Sequence, residues 1–97
     1  MARFDVYRTG EYFVVDVQTD LLDGLTTRLV VPLLPLEAAP MPAGRLNPVL
    51  QFNGQPHALQ PQLMGAVSAK LLGKPVDNLL RDYDRIVAAV DMILNGF

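Results

Sequence analysis

The alternation of apolar and polar positions in the first third of the chain is typical of β-strands. In "RFDVYR", Phe4 and Val6 alternate with polar neighbours, and Thr9–Gly10 follows as a turn. "YFVVDVQ" is rich in aromatic and β-branched residues and predicts a second strand. "TTRLVVPLLPL" predicts a third, in which Pro32 cannot donate a ladder hydrogen bond. The position of Pro32 therefore predicts an edge or a bulge.

Loops and short strands alternate through the middle of the chain. "TDLLDG" predicts a loop, and "EAAPMPAGRLNP" predicts an exposed loop long enough to be a candidate functional element. Asn53–Gly54 stands between two short runs and is the preferred pair for a two-residue hairpin turn. "MGAVSAKLLG" predicts one further strand, with a helix as the alternative, and "VDNLL" predicts a short helical turn.

The last segment of the chain has the pattern of a helix that begins after Asp82 and ends at Gly96, the C′ residue. A helix that packs on one sheet needs an apolar stripe of about 100°, and this helix is apolar over roughly twice that arc. We therefore expect burial on two sides, with a second copy of the chain on one of them. The residues expected at this homodimer interface are Val90, Met92, Ile93 and Leu94.

These patterns predict one domain, residues 1–97, of the mainly β class with one C-terminal α-helix packed on a small barrel or curved sheet. Hydrophobic residues make up 51% of the chain and charged residues 19%. This is more apolar than an ordinary small domain. The excess also favours an oligomer.

Charge and cysteine content restrict the functional classes. The net charge is −2 and the basic residues are dispersed, so we expect no direct nucleic acid binding by this chain alone. Without cysteine, neither a disulfide framework nor a cysteine-based zinc site is possible. No signal-peptide core is evident, and no apolar run approaches the ~20 residues of a membrane span. We expect a cytoplasmic protein with no membrane association.

Catalytic constellations are missing from the sequence. His57 is the single histidine, and its place in a predicted strand favours a structural role over that of a base. Ser68 has no nucleophile-elbow context. Asp16, Asp20 and Asp23 lack the spacing of a calcium loop. We interpret Asp16 as lying on a solvated strand face, and Asp20 and Asp23 as shaping a turn. The sequence favours a binding protein, not an enzyme, with no cofactor and no metal.

Three stretches together resemble the CcdB family of toxins: "FVVDVQTDLLD" (Phe13–Asp23), "RLVVPL" (Arg28–Leu33) and the terminal "NGF". The resemblance implies an SH3-like barrel of the CcdB/MazF type, with an added small sheet and a terminal helix, that forms a homodimer. It implies a type II toxin without enzymatic activity that binds the DNA gyrase A subunit and traps the gyrase–cleaved DNA complex. It also implies a CcdA-like antitoxin that neutralises the toxin with a disordered segment. Toxin and antitoxin together are expected to repress their operon and to serve plasmid maintenance.

The resemblance also assigns the gyrase-binding residues. On the matching positions these are Thr19, Leu21, Leu22, Asp91, Leu94, Asn95, Gly96 and Phe97. This chain has Asn95 where the family tail has tryptophan, and its aromatic residue comes last, at Phe97. An indole is a stacking platform for an arginine, whereas asparagine offers only hydrogen bonds. Asp91 stands where the family pattern admits a neutral amide, and it offers a carboxylate to an arginine of the partner.

Two alternatives remain open at the level of sequence. MazF-like endoribonucleases share this barrel, and such an enzyme needs basic and hydroxyl groups gathered on one surface. Arg28, with Thr26 and Thr27, is the local candidate for such a site. The other alternative is a relic that binds an antitoxin but has lost toxicity.

Overall fold

Seven strands and a C-terminal helix build the part of the chain that this computed structural model describes, residues 1–39 and 42–96. The strands are β1 (Asp5–Thr9), β2 (Tyr12–Asp16), β3 (Thr27–Pro35), β4 (Val49–Phe52), β5 (Gln55–Leu59), β6 (Gly65–Ser68) and β7 (Asp77–Asn78), and the helix is α1 (Tyr83–Asn95). All strand pairs are antiparallel. The strands run in the order β4-β5-β3-β2-β1-β7, and β6 branches from β3. The mainly β class with one C-terminal helix is confirmed.

Strand β3 is the centre of the sheet. One edge pairs with β2, while the other pairs first with β6, through Thr27–Val30, and then with β5, through Leu33–Pro35. Pro32 lies where the partner changes, and its carbonyl accepts a hydrogen bond from Gln60 N at 2.9 Å. The nitrogen and carbonyl of one residue face the same side of an extended strand, so the missing N–H faces the gap between the two partners. This gap is a local edge of β3, as Pro32 predicts, and the missing donor costs no ladder hydrogen bond there.

The β4–β5 hairpin forms where the sequence predicts it. Asn53 and Gly54 have φ of 56° and 74°, the two positive values of a type I′ turn. The predicted strand in "MGAVSAKLLG" is also confirmed, as β6.

The helical turn predicted in "VDNLL" is displaced. Asp77 and Asn78 instead pair with Val6 and Asp5 as the short strand β7, and helical geometry begins only at Leu80. The prediction failed because Asn78 is held by a distant part of the chain. Its side-chain amide donates to Asp5 Oδ1 at 2.9 Å.

Apolar residues are buried on both faces of the sheet. The larger cluster packs under α1 and contains Phe4, Val6, Val15, Val17, Val31, Leu33, Leu50, Phe52, Leu59, Leu79, Ile86 and Ala89. A smaller cluster on the other side of β1 and β3 contains Tyr7, Val30 and Leu72. Strand β1 is therefore buried on two faces, although its sequence alternates like a half-exposed strand.

Helix α1 has the predicted ends but only one covered side. Asp82 is the N-cap by position, yet its side chain makes no capping hydrogen bond and lies 3.8 Å from Arg85. Gly96, with φ 80°, is left-handed as predicted, and its N–H donates to Met92 O at 2.9 Å. Ile86 and Ala89 are fully buried. In the described residues no helix is long and apolar enough to cross a membrane.

Candidate protein-binding site

A short 3-10 turn, Asp20–Leu22, forms the first part of the candidate site. Thr19 stabilises its start, since its Oγ1 accepts a hydrogen bond from Leu21 N at 3.4 Å. The end is tied down by Gln18, whose Nε2 donates to Leu22 O at 2.9 Å. Within this fixed turn Leu21 is 92% exposed and Leu22 48% exposed. The two adjacent leucines therefore form a small exposed apolar patch on an ordered turn.

The last turns of α1 form the second part. Leu94 is 65% exposed and Ile93 40% exposed, and Asp91 and Asn95 are exposed beside them. Asp91 and Asn95 share one face through their i,i+4 spacing. Gly96, in the left-handed conformation, ends the helix beside this surface. Phe97, the predicted hydrophobic anchor, lies outside the described residues.

The N-terminal segment connects the two parts. Arg3 N donates to Asp20 Oδ1 at 2.8 Å, which ties the segment to the 3-10 turn. The Arg3 guanidinium lies 5.4 Å from the ring centroid of Tyr83, the first residue of α1. A cleft of about 50 Å³ beside it is lined by Arg3, Phe4, Val17, Ile86, Val87, Val90 and Asp91. The predicted residues of the turn and of the helix are thus linked through residues 3 and 4, which sequence reasoning missed. No local pattern marks Arg3, because Tyr83, one of its two ring partners, is far away in the sequence.

A buried ion pair supports the turn from below. Asp16 and Arg28 are both fully buried, with Arg28 Nε 2.7 Å and Nη2 2.6 Å from Asp16 Oδ2. Asp16 Oδ1 accepts a hydrogen bond from Gln18 N at 3.0 Å, at the base of the turn. Burial raises the pKa of Asp16, and the hydrogen bond from Arg28 offsets this only in part.

This pair corrects two predictions. Asp16 was expected on a solvated strand face, and this was wrong because the second apolar cluster and β3 enclose that face of β2. Arg28 was the candidate cation of an RNA-binding site. With no exposed surface and its charge paired, Arg28 is not available to a phosphate. The local endoribonuclease site proposed from the sequence is therefore not formed.

The other residues considered for chemistry are structural. His57 is 4% exposed and packs edge-on against Phe52, with ring centroids 5.2 Å apart. Its Nδ1 lies 3.1 Å from Gln55 O, an acceptor, so Nδ1 carries the proton. Asp20 and Asp23 shape the turn as predicted, with Asp23 N donating to Asp20 O at 3.3 Å. Throughout residues 1–39 and 42–96, no three histidine, aspartate or glutamate side chains are grouped to hold a metal ion.

The long loop before β4 forms a second concave surface, away from the 3-10 turn. It encloses, with the outer side of α1, a cleft of about 630 Å³. The lining residues are Pro42, Gly44, Arg45, Asn47, Pro48, Val49, Asp84, Arg85 and Ala88. Arg85 ties the helix to the start of β4 at the end of this loop, since its Nη2 donates to Val49 O at 2.6 Å. This cleft is wide enough to admit side chains of an extended peptide.

Comparison with known proteins gives the family and the fold of this chain. The family model described as CcdB protein matches residues 3–96. No curated protein matches the chain. Among solved structures, an endoribonuclease in complex with its cognate antitoxin, from a mycobacterial species, has a TM-score of 0.77 over 97% of this chain and 94% of that chain. Their 12% sequence identity shows a shared fold alone. The family match spans nearly the whole length, and we conclude that this chain belongs to the CcdB protein family.

Proposed function

We propose that this chain, a toxin of a toxin–antitoxin system by its family membership, binds the DNA gyrase A subunit and traps gyrase on cleaved DNA. The observation that carries the proposal is the ordered apolar surface of the 3-10 turn and the end of α1. Leu21, at 92% exposure, and Leu22, at 48%, are apolar side chains displayed on fixed backbone. Burying each one in a partner contributes about 1.5–3 kcal/mol.

The proposed mechanism is differential binding and requires no catalytic group. A ligand shifts an equilibrium only as far as it binds one state more tightly than the other. If the surface of the turn and helix end contacts gyrase only while the enzyme holds cleaved DNA, binding lowers the free energy of that state and slows religation. An exposed apolar surface on ordered backbone suits this role, because little ordering entropy is lost when it binds.

We further propose that the active form is a homodimer. Val90 and Met92 are partly buried within one protomer, and Ile93 and Leu94 extend the same apolar helix outward. A twofold axis beside this helix would cover its second apolar side. It would also present two turns and two helix ends to a symmetric target, which raises the apparent affinity by multivalency.

An antitoxin of the CcdA type is the proposed regulatory partner. Support comes from the family and from the structural neighbour, which is in complex with its cognate antitoxin. The cleft between the long loop and α1 is a surface on which a disordered antitoxin segment can fold. Joint repression of the operon and a role in plasmid maintenance belong to the same proposal.

A gyrase cleavage assay tests the proposal. Purified wild-type protein is expected to make gyrase accumulate cleaved DNA, while Gly96→Arg and deletion of Asn95–Phe97 abolish this without dissociating the dimer. Gly10→Arg is the matched control, since Gly10 also has positive φ, 66°, and open space around it, but lies in the β1–β2 turn. Unchanged cleavage with the tail variants would refute the site. No cleavage with the wild type would refute gyrase as the target.

The same preparation tests the two alternatives. With Arg28 buried, we expect no RNA cleavage when the protein is incubated with RNA. Expression without any antitoxin is expected to stop growth. Normal growth of these cells would favour the non-toxic relic instead.

A further inference from the structure

We infer that Arg3 determines specificity within this surface, and that its guanidinium binds a carboxylate of the target. The inference rests on the proposed function, since it concerns the same surface. It adds a residue outside the set predicted from the sequence, and it states the chemistry of the group that this residue recognises.

The Arg3 side chain is held in place by two aromatic rings. Its guanidinium carbon lies 4.8 Å from the ring centroid of Phe4 and 5.4 Å from that of Tyr83. The two rings are themselves perpendicular, with centroids 5.4 Å apart. Cation–π contacts use the face of the guanidinium and leave the N–H donors at its edge free. A guanidinium is planar and carries its donors in a fork, so it is suited to a bidentate acceptor such as a carboxylate.

Within the described residues, the Arg3 guanidinium has no ion pair and no hydrogen bond. Its Nε is buried without a partner. Three other arginines form ion pairs, Arg28 with Asp16, Arg81 with Asp77 and Arg85 with Asp82, whereas Arg8 and Arg45 form none within the described residues. The two Nη groups are the donors left to a partner, and an incoming carboxylate would pair the charge of this half-buried cation through them.

The backbone around Arg3 is fixed in an uncommon conformation. Phe4 has φ 70°, a left-handed value that a bulky residue rarely adopts. It is held there because Phe4 N donates to Asp16 O at 2.6 Å and Phe4 O accepts from Leu79 N at 2.9 Å. This bend keeps Arg3 out of the β1 ladder and close to the helix. Strain of this kind concentrates at functional sites, where the surrounding structure maintains it.

The charged neighbours define what the target must carry. Asp91 lines the same small cleft as Arg3 but is not ion-paired with it. Asp20 accepts the backbone N–H of Arg3. The surface therefore presents one cation beside two carboxylates, Asp91 and Asp20, of which Asp20 already accepts a backbone N–H. A matching target places an aspartate or glutamate against Arg3, with its own cation near Asp91.

The test measures binding of the intact dimer to the purified gyrase A subunit, by calorimetry at several salt concentrations. Arg3→Gln keeps the length and polarity of the side chain and removes the charge, so we expect the Kd to rise at least about tenfold and its salt dependence to weaken. Arg3→Lys keeps the charge but loses the bidentate geometry, and is expected to lie in between. Arg8→Gln is the control, since Arg8 is exposed and its Nε contacts only Gly10 O. Its Kd should not change.

The measured Kd values support or overturn the role of Arg3 as follows. Wild-type affinity and salt dependence in a folded Arg3→Gln variant overturn it and leave the proposed function intact. Failure of the wild type itself to bind gyrase overturns both. If thermal unfolding shows that Arg3→Gln does not fold, Arg3→Lys decides: a several-fold rise in Kd supports the inference, and an unchanged Kd overturns it.

Discussion

Tyr7, Asp16 and Arg28 form a polar cluster enclosed among β1, β2 and β3. All three side chains are fully buried. Removing one partner of a buried ion pair is strongly destabilising, because it leaves an uncompensated charge in a medium of low dielectric constant. The cluster also positions the base of the 3-10 turn through Asp16 and Gln18. Fully buried residues thus determine where the candidate surface lies.

Tyr7 should make the free energy of unfolding depend on pH in the alkaline range. Burial, together with the charges of Asp5 and Asp16, raises the pKa of Tyr7 to about 12 from its ordinary 10.0. Between these values the unfolded chain has released the phenolic proton and the folded chain retains it. The free energy of unfolding therefore falls with rising pH, at about 1.4 kcal/mol per pH unit. In Tyr7→Phe this decrease in the free energy of unfolding between about pH 10 and 12 should be absent. Urea unfolding at a series of pH values measures it.

Near neutral pH, Tyr7→Phe should change the free energy of unfolding only slightly. At pH 7, Tyr7→Phe should cost about 1 kcal/mol or less, since the hydrogen bond from Tyr7 Oη to Asp5 Oδ2 is long, at 3.5 Å. Tyr12, which is 39% exposed, provides the matched variant Tyr12→Phe. An alkaline slope that is the same in Tyr7→Phe as in the wild type would contradict the assignment.

At the scale of elements, turns and helix ends are set by residues that tolerate positive φ. The β4–β5 hairpin depends on Asn53 and Gly54, and the end of α1 depends on Gly96. These elements agree with the sequence prediction because their chemistry is local. Each needs only the residue that adopts the required conformation, whatever the rest of the chain does.

A pair of glycine substitutions tests this at the hairpin. Gly54→Ala should lower the free energy of unfolding by about 1–2 kcal/mol, because a Cβ is disfavoured at φ 74°. Gly24→Ala is the control, since Gly24 also has open space around its Cβ position but no positive φ. It should be neutral or stabilising by up to about 1 kcal/mol. Equal effects of the two in urea unfolding would show that turn geometry is not the cause.

For the whole molecule, the open side of α1 is the main feature. One protomer covers Ile86 and Ala89 but leaves Leu94 exposed. The exposed apolar side of α1 corresponds to the part of its apolar surface that, by the sequence analysis, exceeds what one sheet can bury. The second copy that would cover it remains a proposal.

Dimerisation is tested with two leucine substitutions. Leu94→Glu would place a charge in the proposed interface, where an unpaired carboxylate costs several kcal/mol. The dimer Kd should rise at least about a hundredfold in sedimentation equilibrium. Leu80→Glu is the control, because Leu80 is 62% exposed, close to Leu94 at 65%, but lies before the helix. A wild type that sediments as a monomer would contradict the dimer.

Local chemistry explains what the sequence determined by itself. The mainly β class, the hairpin at Asn53–Gly54 and the bounds of α1 all follow from period and turn residues. The motifs in the first three strands also identify the family, which the family match confirms.

Only the tertiary structure decided which distant residues meet. It buried Asp16 against Arg28, made Asp77–Asn78 a strand, and placed Pro32 between two strand partners. It also set the Arg3 guanidinium near Tyr83. The physical reason is the same in each case. The free energy of these contacts depends on groups far apart in sequence and on exclusion of water, and neither is present in a local pattern of apolar and polar residues.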